Sequence, residues 1–102
     1  MDNKYRVWIG LVSLIPMEGN KDLGGKTGAV VNVLCWANGI QEYELIIAEK
    51  LNEFGFQIEE IEEVEPFDFS KMSNYKDNLK EIAKAVKKDK SLRWGTFYTY
   101  NN

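Results

Sequence analysis

No histidine occurs among the 102 residues, and this removes more chemistry than any other absence in the chain. Ser-His and Cys-His nucleophile pairs, imidazole metal sites and imidazole proton shuttles all need a group that titrates near neutrality or ligates through a neutral ring nitrogen. Cysteine is nearly missing too. Cys35 stands alone, so no disulfide can close within the chain. It lies in the apolar run 29–37, without the adjacent cations that lower a thiol pKa, and reads as a small buried hydrophobe.

Long apolar runs are also lacking. The stretch Val7–Ile15 holds nine residues, against the ~20 that a membrane-spanning helix needs. Lys4 and Arg6 before it imitate the start of a secretory leader, but Met17-Glu18-Gly19-Asn20 offers no small-residue cleavage pattern. The expectation is a cytoplasmic protein with no membrane partner. What is present, 44% hydrophobic and 28% charged residues, is ordinary for a folded chain of this length and predicts a single domain over 1–102.

Periodicity orders the chain as β-β-α-β-α-β. Residues 5–15 and 27–37 are rich in Val, Ile, Leu and Trp without helical spacing and form a strand pair. The glycine-rich segment 17–26 between them reads as a loose hairpin tip. Asn38 and Gln41 suggest a capping box that opens a helix, with Ile40, Tyr43, Ile47, Leu51 and Phe54 on one face and Gly55 ending it. A third strand over 56–64 breaks period two, which predicts a bulge near Glu59 or Glu60. Phe67, Phe69 and Met72 belong to a loop over the core edge. A second helix over 74–88 buries Tyr75, Leu79, Ile82 and Val86, and one last strand runs 91–100.

Two right-handed crossovers would give an α+β fold: a mixed four-stranded sheet with two helices packed on one face. The strands, however, carry apolar or aromatic residues at both parities, as Trp94, Tyr98 and Tyr100 do against Phe97. One helical layer hides one side only. The other side is then an aromatic surface that needs a cover, either a homodimer core or a partner site.

Charge is segregated along the chain. Residues 42–68 hold ten acids against Lys50 alone, whereas 71–93 hold eight bases against three acids. Such blocks screen each other and keep a small domain dispersed. They also make Glu59, Glu60, Glu62, Glu63 and Glu65 an acidic edge suited to a basic protein. The lysine row 76, 80, 84 and 87 lies opposite the apolar stripe of its helix; with a net charge of −3 and no RNA-binding signature in the chain, a nucleic-acid partner is not expected.

Catalytic patterns fail at specific residues. Gly25-Lys26-Thr27 ends like a phosphate-binding loop, but Asn20 stands where its first glycine belongs, and Thr27 leads into a strand rather than a helix. The carboxylates cluster with each other, without metal-ligand spacing or a second environment to split their pKa values. The sequence therefore points to a non-catalytic protein-binding module with no cofactor, an immunity- or antitoxin-like inhibitor of a basic partner. Its contact residues would be the five glutamates together with Trp94, Tyr98 and Tyr100. The alternative is a small-ligand sensor or minor enzyme with its site between the 17–26 loop and the last strand.

Overall fold

The computed structural model describes residues 4–101. Its elements are β1 (Arg6–Pro16), β2 (Gly28–Ala37), α1 (Ile40–Glu53), β3 (Phe56–Pro66), α2 (Asp77–Asp89), β4 (Leu92–Trp94) and β5 (Tyr98–Tyr100), with a short 3-10 helix at Phe69–Asn74. The class is α+β. The sheet runs β3-β1-β2-β4, and β5 pairs with β2 beyond β4, so the last two strands share one edge.

Two details of the expected sheet are corrected. Every pairing is antiparallel, so the sheet is not mixed. The helices, moreover, lie on opposite faces. Val12, Leu14, Val31, Val33 and Cys35 pack with Tyr43, Ile47 and Leu51 of α1. Val7, Ile9 and Leu34, of the other parity, pack with Leu79, Ala83 and Val86 of α2. The reason is topological. The handedness rule governs crossovers between parallel strands, and only β2-α1-β3 is one, because β4 runs antiparallel to β3. With α1 filling the first face, α2 covers the second.

Local chemistry explains the elements. Glycine at position 39 takes φ 120° and starts α1 as its N-cap, one residue after the expected cap; Glu42 Oε1 accepts from the Asn38 amide in place of Gln41. Tyr43, Ile47 and Leu51 are fully buried, while Ile40 and Phe54 are 48% and 53% exposed and drop out of the predicted core stripe. Tyr43 crosses the sheet at Gly10 and donates 2.7 Å to the Val33 carbonyl. A Cβ on Gly10 would lie 2.6 Å from its phenolic oxygen, which is why the strand narrows to glycine there. Gly55 ends the helix at φ 86°, a conformation that costs glycine little.

Around α2 the chain departs further from simple periodicity. Tyr75 lies before the helix, stacked on buried Phe67 with ring centroids 4.0 Å apart, and its hydroxyl accepts from the Asp68 amide. Phe69 and Met72 close over this second core as expected. Asp68 caps the 3-10 helix by accepting from the Ser70 amide and hydroxyl, which holds its carboxyl below the ordinary range.

The bulge expected in the third strand appears, together with a second that was not expected. Ser13 faces Glu60 and Leu14 faces Ile58, so Glu59 is the bulged residue. A second β3 bulge spans Glu63 and Val64, between the Ile9–Glu65 and Leu11–Glu62 pairs, and puts Glu63 at φ 53°. The 17–26 segment is anchored rather than loose: Leu23 is buried in the α1 core, and Asn20 donates to the Phe54 and Gly55 carbonyls. Among the described residues no helix is long and apolar enough to cross a membrane.

Candidate functional site

The two strands at the sheet's centre are longer than α2, and their unequal length creates the site. Directly opposed residues of antiparallel strands share a face. On the α2 side that alternation runs through Val7–Trp36 and Ile9–Leu34, which are capped by the helix, to Leu11–Asn32 and Ser13–Val30, which are only half-buried. Ile15 continues the row, also half-buried. Half of one face, rather than a whole face, is therefore open.

The rims of this open half come from the two sheet edges. On one side Glu65, Glu62 and Glu60 stand opposite Ile9, Leu11 and Ser13 and project to the same face. On the other, Tyr98 and Tyr100 stand opposite Val30 and Gly28. Two intervening strands separate the rims by about 14 Å, since neighbouring strands lie roughly 4.8 Å apart. Tyr100 lies over Gly28, where a Cβ would come within 2.5 Å of its ring, so that glycine lets the tyrosine lie flat. Tyr98 is 49% exposed. Its hydroxyl accepts 2.7 Å from Lys76 Nζ, which also lies 4.8 Å from the ring centroid.

The acidic rim is electrostatically tense. A hydrogen bond to Glu60, open to Glu62 only when its carboxyl is protonated, together with the charge of Glu60 raises the Glu62 carboxyl above the ordinary glutamate range. Such a pair gains from a cation placed over it. Glu63 and Glu65 line a small cleft with Leu11, Asn32 and Tyr75 at the foot of α2.

Of the eight residues singled out from sequence, Glu60, Glu62, Glu65, Tyr98 and Tyr100 thus share one face, Glu63 borders it, and Glu59 occupies the bulge. Trp94 does not join them. It opposes Val33 and packs on the α1 side against Phe54 and Phe97. Val33 and Val30 are three positions apart in β2, but Trp94 and Tyr98 are four positions apart, and the extra residue reverses the face. The Gly95 amide, bonded to the Asn32 carbonyl, marks the break. Leu11, Ser13, Ile15, Val30 and Asn32 complete the surface; their alternation in the paired strands was the signal that could have identified them.

Other candidate chemistry falls elsewhere. Cys35 is 1% exposed, and burial with the nearby charge of Glu42 pushes its thiol up to about 12, so it is inert at neutral pH. The lysine row of α2 is tied locally, with Lys80 on Asp77, Lys84 on Glu81 and Lys87 over the Phe69 ring. The 17–26 segment meets the last strand at Thr27, which bonds the Tyr100 carbonyl through its amide and hydroxyl. Among the described residues no three acidic or cysteine side chains gather as a metal site. No protein-family model, no curated protein and no solved structure matches the chain.

Proposed function

We propose that this chain is a non-catalytic binding module, an immunity- or antitoxin-like inhibitor that docks a basic protein on the open half of the α2 face. One observation carries the reading: Glu60, Glu62 and Glu65 flank the same half-covered surface as Tyr98 and Tyr100. Tyrosines offer rigid apolar area with a polar tip, the side-chain type that anchors interfaces. The glutamates supply a negative rim that speeds encounter with a cationic partner and selects against acidic ones. A lysine or arginine placed beside Glu62 offsets its repulsion from Glu60.

The test is capture of basic proteins from a lysate of the native cell on immobilised chain, followed by kinetics with the purified partner. Reversal of Glu60 and Glu62 to lysine is expected to slow association by about tenfold or more at low salt, an advantage lost at high salt. Tyr98→Ala is expected to speed dissociation instead. Unchanged capture by the charge-reversed chain, with its fold intact by circular dichroism, rejects the reading. A stable dimer in light scattering that disappears on Tyr98→Ala assigns the face to a second copy.

A further inference from the structure

A second concavity lies away from the docking face, beside β4 on the sheet edge. It encloses about 470 Å³ between the last turn of α1, the end of β2 and the segment that leads from α2 into β4. That volume falls within the range of about 300–1,000 Å³ typical of small-molecule sites. Phe54 and Trp94, in edge-to-face contact at 5.1 Å, line it from the α1 side, and Trp36 lines it at the end of β2. The cleft is short of polar side chains, with Lys50, Lys90 and Ser91 among its lining residues.

Lys50 and Lys90 line it from opposite elements, and no acid joins them in the lining. Lys90 Nζ donates to the Lys87 carbonyl and lies 4.2 Å from the Trp36 ring centroid, contacts that leave its charge unneutralised. Lys50 reaches Glu53 at 3.5 Å, with both side chains more than half exposed, so this pairing is weak and exchangeable. Ser91 also lines the cleft, and its buried Oγ has no hydrogen-bond partner among the described residues. An orphan hydroxyl in an apolar wall is unusual in a native fold and calls for an acceptor. In a chain of net charge −3, an aromatic cleft lined by two cations and a free donor is a specific combination.

We propose that this cleft binds a small carboxylate with a flat apolar body, the aromatic side chains holding the body while Lys50 and Lys90 hold the carboxylate and the Ser91 hydroxyl turns out of its buried position to donate to it. The site shares no residue with the docking face, so the two assignments stand or fall separately.

Full-length, ¹⁵N-labelled chain titrated with 2-naphthoate tests this, with neutral 2-naphthamide as the isostere. Saturable shifts are expected at the indole N–H groups of Trp36 and Trp94 and at the Ser91 amide, with the acid bound about tenfold or more tighter than the amide. Lys50→Gln with Lys90→Gln should erase that preference while leaving amide binding in place, and Ser91→Ala should weaken the acid a few-fold. The Glu60 and Glu62 reversals should leave all of this unchanged. Equal affinity for acid and amide, preference surviving in the double lysine variant, shifts confined to Tyr98 and Tyr100, or no saturation by about 5 mM overturns the proposal.

Discussion

Gly10 and Tyr43 act as one unit. The ring crosses β1 only because no Cβ stands in its way, and its hydroxyl satisfies the buried Val33 carbonyl. Gly10→Ala is expected to destabilise by about 1–3 kcal/mol, because a packed interior tolerates an added methyl only by shifting side chains. Tyr43→Phe removes the nearest atom but strands the carbonyl, a loss of roughly 1–2 kcal/mol. Combined, they should cost less than their sum, since the second relieves part of the first; urea titration of the three variants measures that coupling. Cys35 gives a pH prediction. Its folded pKa, raised from an ordinary value near 9 to about 12, means that the unfolded chain loses the thiol proton first. The contribution is whole below pH 9 and fades as pH climbs toward 12. Buried Tyr43 shifts the same way. The urea midpoint should therefore fall across that range, less steeply in Cys35→Ala, and a thiol reagent should react at pH 8 only after unfolding.

Individual elements were largely legible before any coordinates, and their mutual placement was not. The strands 5–15 and 27–37, the first helix and the bulge at Glu59 all follow from spacing, because local pattern records which residues must be buried. Apolar residues at both parities of β1 and β2 are what burial on two faces requires, and Val33 beside Leu34 is that signal, satisfied by α1 and α2 in turn. A rule for parallel crossovers cannot apply where β4 runs against β3, and no local pattern reveals that direction. The last strand hid its break for a related reason: the one-residue excess between Trp94 and Tyr98 exists only relative to β2. Within β3, Glu63 holds a left-handed backbone that disfavours a side chain. Glu63→Gly should raise stability by up to about 1 kcal/mol in thermal or urea unfolding, by relieving that contact with the backbone. The two bulges and the run of glutamates also discourage edge-to-edge pairing of this long outer strand.

At the scale of the whole molecule, the sheet is a partition. Among the described residues, twelve buried ones lie in the core on the α1 side and seven in the core under α2, with the strands between them. Truncating Ile47 or Leu79 to alanine should each cost about 2–5 kcal/mol, yet through separate compartments, so the losses should add in the double variant. Native-state hydrogen exchange checks the partition directly: amides of α2 should open at lower free energy than those of α1 and the central strands. The smaller compartment then behaves as a shutter. A brief excursion of α2 uncovers Val7, Ile9 and Leu34 next to the tyrosine and glutamate rims, lengthening the greasy strip while the far side stays shut. A concentrated stock should accordingly begin to clump through this strip, and a cross-link tying α2 to β1 should delay it without touching the α1 half.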